Sequence, residues 1–433
     1  TCDNGIAAYN QVKYAKENGL TVIVTDHHDV PFDEVNGVKE YRVPPADAVV
    51  NPKQEDCQYP FKLLCGAGVA YKLISLIYER LRLNTKDMEE YREFMAIATV
   101  GDIVDLIDEN RVVVKYGLKH IAHTVNTGLK ALVEECGVDI NNISSYHIGF
   151  VIGPCLNASG RLDTARKAIE LMLCKNTEEA HNMARELITL NTERKQMTED
   201  ETAKAIELVE KNDMLKDRVL VIYLPDCHES IAGIIAGRIK ERYYRPTFVI
   251  TNAEEGAKGS GRSIEGYNMY EEINKCKNVL TKYGGHPMAA GLSLETADID
   301  VFRKMLNDNA TLDDSDLIPK TWIDVPMPVG YASMGLVGQL KLLEPFGKGN
   351  EKPVFADRDL YVKTASIIGK NRNVLKMQLE TKEGYIVQAV QFGISDKDPV
   401  PKAGSRILIV YYPDINVYNG VSSLQIIIKE WKE

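Results

Sequence analysis

Apolar positions recur at helical spacing from Ile6 to Glu17, and Gly19 then stands where a helix C-cap is expected. The β-branched run Leu20-Thr21-Val22-Ile23-Val24 follows at once. A fully buried strand of a parallel sheet has this texture. With the opening stub, residues 1–30 therefore read as strand, helix, strand. Ala48-Val49-Val50 repeats the strand signal, and helices are expected around 66–82, around 89–100 and on to about 174. Residues 177–211 differ: they hold no Pro, many Glu, Lys, Arg and Ala, and an N-cap candidate at Asn176 or Thr177. This predicts one long, mostly exposed helix of the kind that joins domains. A second α/β unit begins at Arg218–Tyr223, with a helix near 229–242, a strand Thr247–Thr251 and a Gly-rich turn at 256–261. From Ile323 short strands alternate with turns such as Lys382-Glu383-Gly384 and Tyr418-Asn419-Gly420, which suits a small β-barrel.

The length of 433 residues supports two to four domains, divided here as 1–175, a helix over 176–213, 214–312 and 320–433. No apolar run approaches the roughly 18 residues of a membrane span. Fifty-two Lys and Arg against 62 Asp and Glu leave a net charge of −10, which excludes a broad nucleic-acid-coating surface but not a narrow basic channel. Residues 330–433 hold 14 basic and 11 acidic residues, so the barrel region is positive while the remainder is strongly negative. Eight cysteines lie scattered with no C-x-x-C pair, the usage of reduced thiols in a cytoplasmic protein.

Candidate chemistry centres on Asp26-His27-His28, placed directly after the strand run, where ligands bind in open α/β sheets. Asp3 follows the opening stub similarly, and Asp102 follows the apolar stretch Ala98–Gly101. Converging carboxylates and imidazoles suit a divalent cation such as Mn²⁺ or Mg²⁺. Alone, the triplet fits a capped loop with surface histidines equally well. Three segments rich in small residues add weight, each read as a turn open to a phosphate: Asn157–Arg161, Gly259–Ser263, and Gly284-Gly285-His286 with Ala289–Gly291. Trp322 and Trp431 read as packing residues, and His120 and His123 as structural histidines without an obvious carboxylate partner. His228-Glu229 reads as a helix start.

Taken in order, these segments resemble the RecJ family of bacterial single-strand-specific 5′→3′ exonucleases, within the DHH phosphoesterase superfamily. The likeness runs through Thr1–Gly5, Val24–His28, Ala98–Asp102, Ile152–Arg161, Leu190–Arg194, His228-Glu229 with Gly233–Arg238, Gly259–Ser263 and Gly284–Gly291. Leu343–Asn350 is similar to the approach to that family's OB-fold domain. The resemblance implies a DHH-type parallel-sheet domain, a long connecting helix, a second α/β domain of DHHA1 type and a C-terminal OB-fold barrel. It implies Asp3, His27 and Asp102 as ligands of two metal ions, Mn²⁺ or Mg²⁺, with Asp26 and His28 as catalytic neighbours. Asn157, Arg161, Ser260, Arg262, Gly285 and His286 would hold DNA phosphates, including the terminal 5′ group. The implied substrate is single-stranded DNA, cut to mononucleotides in repair and recombination by a cytoplasmic monomer working with a helicase and a single-strand-binding protein.

Two other readings compete: a phosphodiesterase of short oligonucleotides or cyclic dinucleotides, and a non-catalytic DNA-binding relative. The family's Asp-x-Asp motif is expected before Asp3, so the chain as given is expected to lack two ligands and to be inactive or nearly so. Asp105 stands where family members often have Pro; it is either solvated or tunes the metals.

Overall fold

The structure is a computed structural model that describes residues 4–35, 38–394 and 398–433. Two compact units emerge: Thr1–Val125, Asp139–Phe150 and Thr321–Glu433 form one, Asn126–Val138 and Val151–Lys320 the other. No helix among the described residues is long and apolar enough to cross a membrane.

In the first unit helix α1 (Tyr9–Glu17) ends in Gly19 at φ +78°, and Leu20 N–H returns to Ala15 O at 3.1 Å. This helix stop uses Leu20 as part of the cap, so strand β1 is only Ile23–Thr25, shorter than the run suggested. It pairs in parallel with β2 (Ala48–Val50), and Ile23 is exposed, so the expectation of a fully buried strand fails. Helices α2 (Gly66–Arg80), α3 (Glu89–Gly101) and α4 (Asp108–Ile121) follow. A Cβ on Gly117 would lie 2.3 Å from the Cβ of Ala96, which is why α3 and α4 approach so closely. His120 sits 3.7 Å from the buried carboxyl of Glu93, the carboxylate partner that sequence reading did not see.

The same unit carries five long strands, β8 (Phe355–Ile368), β9 (Val374–Glu380), β10 (Ile386–Phe392), β11 (Arg406–Tyr418) and β12 (Val421–Lys432). They run in the order β8-β9-β10-β12-β11, and pairing of β8 with β11 closes the ring. Asn419 and Gly420, both at positive φ, turn β11 into β12 as a two-residue hairpin loop requires. The fully buried Tyr411 donates its hydroxyl to Met327 O at 2.8 Å inside the barrel. Trp431 packs against this core, whereas Trp322 is 77% exposed and is not the packing residue expected.

The second unit assembles α5 (Thr127–Glu135), α6 (Gly153–Leu162), α7 (Arg166–Leu173), α8 (Thr177–Lys211) and α9 (Glu229–Tyr243). A sheet of β3 (Leu220–Tyr223), β4 (Thr247–Asn252), β5 (Ala257–Arg262), β6 (Lys282–His286) and β7 (Ala289–Leu294) completes it, in the order β3-β4-β5-β7-β6. Asn176 caps α8 by accepting from Glu179 N–H at 3.1 Å. Helix α8 buries a stripe from Ala180 and Ala184 through Asn191 to Ala205 and Val209 and exposes most of the remaining positions. That stripe packs on α5, α6 and α9.

Gly128 of α5 meets the backbone of α7: a Cβ there would lie 1.9 Å from Leu171 O. No rotamer change relieves a clash with backbone, so Gly128→Ala is expected to cost about 3 kcal/mol, at the upper end of overpacking. The urea unfolding midpoint measures it, and an unchanged midpoint would show that the two helices separate freely.

Candidate metal centre and phosphate-binding face

Asp26 N–H donates to Val50 O at 3.0 Å, one step beyond the β1–β2 ladder, which places the triplet at the carboxyl edge of the parallel pair. The Asp26 carboxyl is fully buried. One oxygen accepts from Ile6 N–H at 2.7 Å; the other accepts from His27 N–H at 2.7 Å, His28 N–H at 3.1 Å and faces His28 Nδ1 at 2.8 Å. Burial alone would raise its pKa, but these hydrogen bonds outweigh burial and hold the carboxyl below the usual carboxylate range. An ionised acceptor makes Nδ1 the protonated nitrogen of His28 and turns Nε2 of this half-exposed ring outward. Asn51, just past β2, fixes the loop from the other side by donating to His28 O at 2.9 Å.

His27 is buried, and its Nε2 lies 3.5 Å from Oδ2 of Asp102. Asp102 caps the end of α3, and Ile103 beyond it holds φ +57°, an uncommon conformation for a β-branched residue and one that costs about 1–3 kcal/mol. Ligand atoms of Asp26, His27 and His28 all lie within 4.8 Å of one another. The facing pair of imidazole nitrogen and carboxylate oxygen is a donor set that fits Mn²⁺ or Mg²⁺. Asp3 lies outside the described residues. Asp105 is partly exposed and ion-paired. It pairs with Lys348 at 2.9 Å while Leu106 N–H donates to Lys348 O at 2.6 Å, which anchors the segment leading into the barrel beside the Asp102 turn.

In the second unit, two of the three small-residue segments are not turns, and the third is a hairpin whose turn is Pro287-Met288. Asn157 and Arg161 lie four residues apart on one face of helix α6. Ser260 and Arg262 lie on strand β5, and Gly284–His286 form the end of β6, hydrogen-bonded to Ala289–Gly291 of β7. Packing explains why glycine-rich sequence is extended here. A Cβ on Gly261 would come within 2.6 Å of Phe248, and one on Gly259 within 2.9 Å of Leu292. Gly285 is the exception, at φ +154° with space for no side chain: Ala289 O lies 2.4 Å from where its Cβ would be.

Arg262 extends over the face of α9. Gly233 makes this possible, since a Cβ there would lie 2.7 Å from both an Arg262 nitrogen and Ser260 Oγ. Arg161 donates to Ser230 O at 2.7 Å, and Arg194 is held by Asn191 Oδ1 at 2.9 Å. Burial first, and then the guanidiniums of Arg161 and Arg238, lower the pKa of Arg194; burial and Arg161 do the same to Arg262. No carboxylate among the described residues pairs with any of these four arginines. Crowded, partly desolvated cations without a counter-charge form a site for an anion. Arg194 and Arg238 were missed as site residues. The signal was available in Asn191 and Arg194, polar positions on the otherwise small and apolar stripe of α8.

Comparison with known proteins accounts for most of the chain. Residues 1–99 match the DHH family N-terminal domain, 216–311 the DHHA1 domain, and 323–430 the RecJ OB domain. A single-stranded-DNA-specific exonuclease RecJ of Bacillus subtilis is 36% identical over 99% of this chain, which spans 53% of that protein. The Escherichia coli RecJ exonuclease is 34% identical over 99% of the chain and 76% of its own length. The crystal structure of Thermus thermophilus RecJ in complex with Mn²⁺ superposes with a TM-score of 0.83 at 28% identity, over 100% of this chain and 61% of that one.

The hydrogen bonds at Asp26 set a stability test. Asp26→Asn replaces a charged acceptor of three backbone N–H groups and the His28 ring with a neutral one. With all three backbone donors (Ile6, His27 and His28) counted, it is expected to cost about 2 kcal/mol at pH 7, measured by urea unfolding. A variant as stable as the parent would mean that these bonds do not hold the loop.

Proposed function

The chain belongs to the RecJ family of single-stranded-DNA-specific exonucleases, and from that premise we propose that it bears the catalytic machinery of a metal-dependent 5′→3′ exonuclease releasing mononucleotides from single-stranded DNA in repair and recombination. The observation that carries this reading is the His27–Asp102 pair beside a buried, ionised Asp26. His27 and Asp102 would hold the cation, together with Asp3. A bound Mn²⁺ or Mg²⁺ supplies an activated water and offsets charge on the phosphoryl oxygens.

The protein's own part is positioning. Asp26 fixes both histidines through their backbone and, for His28, through the ring. His28, its Nδ1 committed to Asp26, presents Nε2 to a scissile phosphate as donor or acceptor according to protonation. Arg161, Arg194, Arg238, Arg262 and Ser260 would grip a terminal 5′ phosphate, with Asn157, Gly285 and His286 along the path of the strand. A grip on the end of the chain makes cutting exonucleolytic. The barrel exposes Tyr361, Tyr385 and Phe392, rings on which successive bases can stack. The RecJ OB domain match over 323–430 disfavours a substrate of only a few nucleotides. The reading extends to a cytoplasmic monomer acting on strands that a helicase and a single-strand-binding protein supply; the seven described cysteines, all free, agree with a reducing compartment.

The test is Mn²⁺-dependent release of mononucleotides from a 5′-phosphorylated strand by the full-length protein. His27→Ala is expected to reduce the rate by more than about 100-fold, beyond the loss typical of residues that only support a metal ligand. Full activity in that variant would refute the metal assignment. Arg262→Ala should weaken binding of 5′-phosphorylated strands by about tenfold while leaving 5′-hydroxyl strands nearly unchanged, as loss of one charge-assisted hydrogen bond requires.

A further inference from the structure

The sheet of the second unit has one apolar face and one polar face, and the strand register decides which residue is where. Phe248, Ile250, Ala290 and Leu292 point into the core. By alternation the opposite face presents three rows across β5, β7 and β6: Arg262–Ala289–His286, then Ser260–Gly291–Gly284, then Lys258–Ser293–Lys282. The third row was not among the candidate residues of the sequence. It lies two residues along each strand from Ser260, or about 7 Å at normal strand rise.

Above the second and third rows is a cavity of about 400 Å³, walled by Ser230 and Glu229 at the start of α9 and by Thr251. Gly291 in its floor is a glycine without a packing reason, and so is Gly284, its ladder partner on β6. A Cβ on Gly291 would meet nothing closer than Gly259 O at 4.0 Å, and one on Gly284 would meet nothing within 4 Å. Gly259 and Gly261, by contrast, are forced by the side chains beneath them. The protein thus leaves open a volume that its own packing does not require to be open.

The lining indicates the occupant. Lys258 is paired with Glu229 at 2.7 Å, while Lys282 is exposed and has no ion-pair partner among the described residues. Four hydroxyl residues, Ser230, Thr251, Ser260 and Ser293, line the cavity. Tyr283 borders the cavity, but its side chain packs on the core face of the sheet and its hydroxyl donates to Asn274 Oδ1 at 2.7 Å. Ammonium groups and hydroxyls over bare backbone suit phosphate oxygens, not a base.

We propose that this cavity is a second anion subsite, one ladder step beyond Ser260, which takes the outer phosphates of a strand ending in a 5′-di- or triphosphate. The inference rests on the reading of Ser260 and Arg262 as the holders of the terminal phosphate. It widens the substrate class from monophosphorylated ends to polyphosphorylated ones. Lys282 is the residue that distinguishes the two.

The test is fluorescence anisotropy of 3′-labelled oligothymidylates with the full-length protein in EDTA, comparing 5′-hydroxyl, 5′-monophosphate and 5′-triphosphate ends. The triphosphate should bind about tenfold tighter than the monophosphate, the gain of one further charge-assisted contact. Lys282→Ala, which leaves the Lys258–Glu229 pair in place, should remove most of that gain, and Lys258→Ala/Lys282→Ala all of it. Neither should alter the advantage of monophosphate over hydroxyl. A triphosphate that binds no tighter than the monophosphate, or a gain that survives the double variant, overturns the subsite. A monophosphate no tighter than hydroxyl, with a triphosphate gain that the double variant loses, overturns the reading of Ser260 and Arg262 and upholds the subsite.

Discussion

The first unit depends on one buried charge. Asp26 has no exposure to solvent, and a carboxylate so placed is tolerated only where its lone pairs are used. Here they bind the start of the preceding helical segment at Ile6, the backbone of both following histidines and the ring of one. The same bonds that offset desolvation fix where the loop goes. His27 is thereby directed at Asp102, and His28 is left with one outward nitrogen. Stability and chemistry are set by a single group, and the chemistry cannot be adjusted without disturbing the fold.

A second support comes from far along the chain. The segment before the barrel docks on the turn after α3 through Lys348 and Asp105, through Arg111 to Leu343 O, and through Ser145 to Phe346 O. Gly347 is required there, since a Cβ would lie 2.6 Å from Leu106. The turn that carries Asp102 includes a strained residue, and strain of that kind persists only where the surroundings over-determine it. The barrel approach supplies part of that constraint, so the last domain contributes to the geometry of the first.

In the second unit, charge and glycine placement work together. The chain carries a net −10, yet four guanidiniums gather with no carboxylate partner among the described residues, and Gly233 opens the surface of α9 to Arg262 and Ser260. Local arrangement, not net charge, creates the positive potential there. Glycines on the two faces of the sheet have opposite meanings. Those on the core face admit Phe248 and Leu292, and those on the polar face keep volume free.

The sequence by itself determined the elements whose signal is local. Helix α8 falls at Thr177–Lys211, where composition and the Asn176 cap placed it, because capping and side-chain entropy act within a few residues. The triplet's position after a strand was equally legible. Two of the small-residue segments were misread as turns: glycine frees the backbone but does not say for what, and only Phe248, Leu292 and the facing strands decide that β5 is extended. Burial was misjudged at Ile23 and Trp322 for the same reason, since exposure depends on neighbours that periodicity does not name. The pairing of His27 with Asp102, of Asp105 with Lys348, and the meeting of Arg161, Arg194, Arg238 and Arg262 all join residues distant in sequence. Such contacts exist only once the chain has closed on itself, so they belong to the tertiary structure alone.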